Sequence, residues 1–453
     1  MFVSINPATG KTIESHVLHG GDEVERRLEA VWSGWQAWRD TKMATRTAFL
    51  TNLAGLLDER AERYGRLIST EMGKALSESV AEVRKCATTA RHYAEHGPGY
   101  LAPQIVSTEA RASSVQFEPL GAVLAVMPWN FPFWQVMRFF VPASLAGNTA
   151  IVKHAENVQG CAEAIEEVVA EAADGAPLLR NLIVGVETVG KVIADKRIRA
   201  VTLTGSPRAG RAVAAAAGAN LKKAVLELGG SDPFIVLEDA DLDKALATAV
   251  TARFANAGQS CICAKRFIVA ESIADRFTEA FAAAASAIVV GDPLEQGTAM
   301  GPMARADLRD GFAGQVERTL AAGARAVVGG KPADRDGFFY EPTILTDVAP
   351  GSPAADEEMF GPAAAIFRFG SLDEAAAIAN RTSYGLGASV WSEDIDAAAA
   401  FADRVEAGAV FVNDLVRSDP RLPFGGIKES GYGRELGLLG TQEFTNAKMK
   451  WVA

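Results

Sequence analysis

The sequence predicts an α/β protein built on two parallel sheets, each with helices on both faces. Three observations carry that expectation. At roughly 150 residues per domain, 453 residues leave room for about three domains or two large ones. A composition of 49% hydrophobic and 22% charged residues is that of a packed globular chain, which excludes a disordered or fibrous one. From residue 121 onward, short β-rich runs alternate with helical ones, the pattern of a parallel sheet with helical crossovers.

The first hundred residues read as helical. Val24, Leu28, Val31, Trp32, Trp35 and Trp38 share one helix face, a packing stripe. Further helices are expected over 43–70 and 77–96. His92 and His96 stand one turn apart on the last, but without a third ligand they read as a packing or surface pair, and no metal is expected. The uncharged run from Pro119 to Met137 is long enough for a membrane span. Pro119, Pro128 and Pro132 break it, so it reads as a strand over 121–127, a turn and a helix start.

The first alternating series continues with a helix from about 134, strands at 149–153, 181–184, 200–205 and 223–228, and helices between them. The second has strands at 233–237, 266–270, 387–391 and 409–413, with helices over 241–256, 273–288 and 304–322. The two series meet near Gly229 and Gly230.

Charge and cysteine content narrow the partners. The net charge is −11 with no Lys/Arg-rich run, so neither nucleic acid nor a membrane surface is an expected partner. Four cysteines in so long a chain do not make a disulfide framework. The start MFVSINPATGK has no apolar stretch behind a basic one, so it is not a secretory signal, and a cytoplasmic location is expected.

Sheets of this kind hold ligands at the carboxyl ends of their strands. The turn Gly205-Ser206-Pro207 after a strand could offer helix N–H groups to a phosphate, or be an ordinary strand-to-helix turn. Glu227 ends an apolar strand beside two glycines, as a base or as a paired structural charge. Cys261, in Gly258-Gln259-Ser260-Cys261-Ile262-Cys263, is a candidate nucleophile in a loop.

Together these motifs form an ordered series. Trp129-Asn130-Phe131-Pro132, the Gly205–Gly210 turn, Glu227-Leu228-Gly229-Gly230, the Cys261 loop, Glu357–Pro362 and Pro423–Arg434 resemble the NAD(P)-dependent aldehyde dehydrogenase superfamily. The resemblance runs from Asn6 to Glu435, and the interval from Glu227 to Cys261 also matches. Lys153-His154-Ala155, Glu227–Phe234 and Gly301–Arg305 are most similar to succinate-semialdehyde dehydrogenases.

The resemblance implies a Rossmann-type cofactor domain from 1–98 and 119–228, and an α/β catalytic domain from 229–430. It implies a small β oligomerisation arm from 99–118 and 431–453, hence a homodimer or homotetramer. It implies that Cys261 attacks an aldehyde, the Asn130 amide holds the oxyanion, and Glu227 is the base that hydrolyses the thioester. Trp129, Gly205, Ser206 and Leu228 would meet the cofactor, Lys153 and Glu156 its adenosine ribose, and Glu358 with Phe360 the nicotinamide ribose. Phe360 could instead be packing in a loop. Glu156 implies a preference for NAD, with NADP possible, because a carboxylate repels a 2′-phosphate.

Arg138 and Ser418 match residues that hold a substrate carboxylate, although Arg138 could instead be a helix-surface ion pair. Ala255 stands where a second arginine is expected, which leaves room for other semialdehydes or uncharged aldehydes. Cys263 could trap an oxidised Cys261 as a disulfide, or be a small buried hydrophobe. A catalytically inactive homologue that serves as a binding protein is the alternative of a different class.

Overall fold

The computed structural model describes all 453 residues. It opens with an antiparallel hairpin, β1 (Phe2–Ile5) and β2 (Thr12–His16). That hairpin lies where the sequence reads as helical, because four of the five β2 residues are exposed and give no hydrophobic alternation to detect. Four helices follow: α1 (Gly21–Trp38), α2 (Met43–Glu59), α3 (Ala61–Met72) and α4 (Leu76–Tyr100). The helix expected over 43–70 is two helices, broken where Arg60 leaves helical geometry. Leu28, Val31, Trp35 and Trp38 of the stripe are buried, and the Trp38 indole donates to the Ser144 carbonyl at 2.8 Å. Trp32 is only half-buried.

Then come β3 (Gln104–Ile105) and β4 (Ala112–Pro119), and the first alternating series. Its elements are β5 (Ala122–Val126), α5 (Pro132–Ala146), β6 (Thr149–Lys153), α6 (Gln159–Ala172) and β7 (Leu179–Asn181). They continue through α7 (Val186–Ala194), β8 (Ile198–Thr204), α8 (Pro207–Ala219) and β9 (Lys223–Glu227). The strand expected at 181–184 is Leu179–Asn181. Leu182, Ile183 and Val184 are a loop whose side chains are buried, so its apolar run reads like a strand.

The second series has β10 (Asp232–Val236), α9 (Leu242–Phe254), β11 (Ala264–Ala270), α10 (Glu271–Ser286) and α11 (Ala306–Ala321). Next are β12 (Arg325–Val328), β13 (Thr343–Thr346), the short α12 (Pro353–Asp356), β14 (Ala363–Phe369) and α13 (Leu372–Asn380). The chain then forms β15 (Tyr384–Gly385), β16 (Gly387–Trp391), α14 (Ile395–Ala402) and β17 (Ala409–Val412). It ends with β18 (Ile427–Lys428), β19 (Gly431–Tyr432), α15 (Gly437–Glu443) and β20 (Thr445–Val452).

One sheet has the order β19-β9-β8-β5-β6-β7, parallel except for β19. The other has the order β12-β13-β14-β11-β10-β16-β17, parallel except for β12. β15 and β18 make a small ribbon, and β20, β4 and β3 a separate three-stranded sheet. The segment after residue 430 therefore serves two sheets, since β19 lies along β9 while β20 lies along β4. No helix is long and apolar enough to cross a membrane.

Strand order locates the cleft. β5 lies between β6 and β8, so successive connections leave it in opposite directions and open a crevice at its carboxyl end. The second sheet meets that crevice with the loops that precede its strands, 228–231 before β10, 258–263 before β11 and 357–362 before β14.

Candidate active site

The loop that carries Cys261 is strained and held by buried charge. After α9, Asn256, Ala257 and Gly258 take φ of 52°, 52° and 70°. Residues with a Cβ seldom adopt that left-handed region. Arg253, fully buried, donates to the carbonyls of Gly258 at 2.9 Å and Ala264 at 3.0 Å and to that of Gly361. Glu78 of α4 accepts from the Asn256 N–H at 3.0 Å. A Cβ at Gly258 would run into the Arg253 guanidinium and the Gly361 carbonyl, so the position requires glycine for space as well as for φ.

Held in this way, Cys261 is partly exposed at the cleft. Behind it the buried Lys265 donates to the carbonyls of Ser260 at 2.8 Å and Cys261 at 2.6 Å. Burial pushes the Cys261 thiol up to about 12, with Arg138 and Lys265 pulling the other way. Cys263 is a buried free cysteine whose sulfur faces the Ala255 carbonyl at 3.8 Å.

Asn130 is buried four residues beyond the end of β5, and its amide donates to the Gln259 carbonyl at 3.1 Å. The Asn256 amide donates to the Asn130 carbonyl at 2.9 Å, so the Asn130 turn and the Cys261 loop are tied directly. Glu227 ends β9, with both carboxylate oxygens buried and without a hydrogen-bond partner. Its pKa is raised well above the ordinary carboxylate value by burial, which the Arg138 charge partly opposes. A buried carboxyl with two unpartnered oxygens can exchange a proton with a water.

The residues expected at the cofactor lie along the carboxyl ends of β5, β6, β8 and β9, except Glu358 and Phe360, which lie in the loop before β14. Gly205 and Ser206 follow β8, and the Ser206 hydroxyl caps α8 by accepting from the Ala209 N–H at 3.3 Å. Gly205 has a single neighbour within 4 Å of where a Cβ would stand, so the backbone there is open to a ligand. Leu228 packs on α8, where a Cβ at Gly210 would meet its methyl at 2.7 Å. Trp129 and Phe360 meet edge to face with centroids 5.8 Å apart, joining the two sides of the cleft. Glu358 accepts from the Gly230 N–H at 2.9 Å and lies 3.7 Å from the Lys265 ammonium.

Lys153 ends β6, buried, with its ammonium 5.8 Å from the Phe2 ring. Burial lowers its pKa, and the Glu156 and Glu187 carboxylates raise it. Glu156 is exposed and also faces Arg305, so this corner holds two cations and two carboxylates.

Arg138 is not on the helix surface. It is 2% exposed, forms a buried ion pair with Glu435, and stacks over the Phe424 ring at 4.6 Å. Its charge reaches both Cys261 and Glu227. Ser418 is buried, and its hydroxyl accepts from the Lys85 ammonium at 2.7 Å.

Several residues of the site carry no motif. Glu78, Glu82 and Lys85 stand at i, i+4 and i+7 on one face of α4, and each holds a different loop. Glu82 accepts from the Phe133 and Trp134 N–H groups at 2.9 and 3.0 Å and pairs with the buried Lys74. The one signal available was three charged residues at helical spacing, which sequence alone reads as a solvated face. Glu435 was visible only as the end of the glycine-rich C-terminal motif, and Lys265 and Arg253 gave no signal.

The family model described as "Aldehyde dehydrogenase family" matches residues 1–450. The chain is 48% identical to a probable succinate-semialdehyde dehydrogenase (NADP(+)) of Synechocystis sp. (strain ATCC 27184 / PCC 6803 / Kazusa), over 99% of both chains. It is 46% identical to a succinate semialdehyde dehydrogenase (NAD(P)+) of Escherichia coli (strain K12), over 99% of this chain and 97% of the other. Among solved structures, succinic semialdehyde dehydrogenase from Streptococcus pyogenes in complex with NADP+ superposes with a TM-score of 0.98 at 36% identity, over the whole of both chains.

Proposed function

The chain belongs to the aldehyde dehydrogenase family and oxidises an aldehyde to the acid with a nicotinamide dinucleotide, and from that premise we propose that its substrate is succinate semialdehyde. The observation that carries the reading is the cationic wall beside the nucleophile. The Arg138 charge reaches both Cys261 and the Lys85 ammonium, which donates to the Ser418 hydroxyl at 2.7 Å. A carboxylate at the far end of a short aldehyde finds its partners there. The names of the relatives in Synechocystis and Escherichia coli point the same way.

We assign Cys261 as the nucleophile. Its thiolate forms the C–S bond to the carbonyl carbon, and the resulting oxyanion is held by the Asn130 amide and the Cys261 backbone N–H. A bound dinucleotide supplies the hydride acceptor. Loss of hydride from the Cys261 thiohemiacetal leaves a thioester on the same sulfur. Glu227 then takes a proton from water, the hydroxide adds to the thioester, and the C–S bond breaks to release the acid. Burial biases both Cys261 and Glu227 toward their protonated forms, which each must leave before it acts.

We read the six-stranded sheet with its helices as the cofactor-binding domain. The open backbone at Gly205, the α8 N-terminus and the Trp129–Phe360 pair fit a dinucleotide laid across the crevice. The carboxylate of Glu156 favours NAD by accepting from a ribose hydroxyl, while Lys153 and Arg305 offer compensation to a 2′-phosphate. Two relatives bear names with NADP(+) and NAD(P)+. Both cofactors are therefore accepted in this reading, NAD with the higher kcat/KM, and Glu156→Ser moves the ratio toward NADP. The three-stranded sheet serves self-association into a homodimer or homotetramer.

The test is NADH formation with succinate semialdehyde set against butanal, which has the same carbon skeleton without the carboxylate. A kcat/KM at least tenfold higher for the semialdehyde supports the reading. Equal values reject it.

A further inference from the structure

β11 is buried along its whole length, yet its second residue is Lys265, 1% exposed. An ammonium taken out of water is tolerated only where its donors are used. Two of them go to adjacent carbonyls of the nucleophile loop, Ser260 at 2.8 Å and Cys261 at 2.6 Å. Glu358, at 3.7 Å, and the buried Asp232 face the same charge. No step of the aldehyde chemistry above uses it.

What the ammonium holds is the peptide that Ser260 shares with Cys261. No peptide bond in the chain is cis, and in a trans peptide the C=O and the N–H point in opposite directions. With the Ser260 carbonyl fixed on Lys265, the Cys261 N–H is turned to the other side of the loop. That carbonyl also accepts from the Cys263 N–H at 3.2 Å, so it is held from two directions. The Cys261 N–H itself donates to no group of the protein, which leaves it for a ligand. The Asn130 amide gives one hydrogen to the Gln259 carbonyl and keeps its second in the same way. Hydrogen bonds in series polarise one another, so a cation on the Ser260 oxygen strengthens the donor at the far end of that peptide.

We propose that Lys265 is a positioning residue of the oxyanion site, which through the Ser260–Cys261 peptide aims and polarises the Cys261 N–H. The proposal rests on the reading of Cys261 as nucleophile with its N–H as an oxyanion donor, and names the group that prepares that donor. Lys265 meets neither aldehyde nor cofactor. Its effect falls on carbonyl addition, where the C–S bond forms and the electron pair of the C=O π bond moves to oxygen. A donor already aimed at that oxygen needs no reorganisation as charge develops.

Two reactions of the full chain, without added cofactor, separate this role from a merely structural one. Iodoacetamide alkylates the Cys261 sulfur: the C–S bond forms as the C–I bond breaks, iodide leaves, and no oxyanion arises. p-Nitrophenyl acetate acylates the same sulfur: the pair goes to oxygen, and p-nitrophenolate leaves as the oxyanion collapses. Both reactions need the same thiolate in the same place, so its ionisation and access cancel in the ratio of acylation to alkylation rate constants. The burst of p-nitrophenolate records acylation, and peptide mass mapping locates the alkyl group on Cys261.

Removing an oxyanion donor outright typically costs about 100-fold or more. Lys265→Met keeps the N–H but frees its peptide, so it should lower the ratio by roughly 5- to 50-fold, short of that loss. Lys265→Arg, whose fork can donate to both carbonyls, should restore most of it. Lys265→Gln, a neutral donor, takes the place of the methionine variant should that one fail to fold. A ratio within about twofold of wild type, whatever the separate rates, would mean that Lys265 only holds the loop, and would overturn the proposal while the nucleophile reading stands. Acylation of Cys261→Ala at the wild-type rate would overturn that reading itself.

Discussion

Glu227 is placed where burial works against its own charge. Both its oxygens lack partners, the Glu435 carboxylate repels it, and Arg138 only partly compensates. With Cys261 also biased toward its protonated form, activity should climb with pH above neutrality, as a rate profile with a saturating aldehyde would record. Cys261→Ala should abolish turnover with the fold intact. Glu227→Gln should keep a single-turnover burst of NADH and lose at least tenfold in steady-state rate, because only hydrolysis needs the base. Full steady-state turnover in that variant would remove Glu227 from the mechanism.

The same carboxyl has a stability consequence of definite sign. A group whose pKa is raised on folding favours the native state while protonated, and that contribution is lost as pH rises through the raised value. Glutamine cannot ionise. Glu227→Gln should therefore melt above wild type at alkaline pH, with the gap closing in acid, by calorimetry at several pH values. A gap independent of pH would mean that packing, not charge, sets the difference.

At the scale of elements, α4 acts as a rail for the site. Glu82 caps α5 through two N–H groups and neutralises the buried Lys74. Removing one member of a buried pair typically costs about 3–5 kcal/mol, since the other is left charged without a partner. Glu82→Ala should therefore lower the denaturant midpoint clearly, and kcat should fall with it because the Asn130 turn loses its tether. Gly258→Ala belongs to the same scale. There φ and the lack of room act together, so chemical denaturation should show a loss larger than the roughly 1 kcal/mol expected from φ alone.

The molecule as a whole leaves one sheet uncovered. β20 pairs with β4 along its full length, yet every β20 residue after Thr445 is exposed. Ile105, Met449 and Trp451 are 81%, 72% and 45% exposed, apolar area of the kind that marks an association surface. Light scattering at micromolar concentration should give at least twice the 47.8 kDa chain mass, and Met449→Asp with Trp451→Asp should reduce it. A monomer at the outset would leave this sheet without its proposed role.

Sequence alone determined a good deal. Hydrophobic period and the glycine and proline stops placed β6 and β16 to the residue and most strands of both series to within a few, since burial on both faces of a parallel sheet writes an apolar run. The ordered motifs carried the family and singled out Cys261, Glu227 and Asn130 as candidates, because a residue proposed to meet a reacting atom sits at a strand end or in a loop of fixed shape. The N-terminal hairpin was not legible, nor was the break at Arg60, because exposed strands and helix junctions leave no periodic signal. Only the tertiary structure decided the charge partners. Arg138 meets Glu435 across almost three hundred residues, and Lys85 meets Ser418 across more than three hundred. A local pattern cannot say whether a charged side chain faces water, a counter-ion or a substrate, because that depends on which distant segments fold against it.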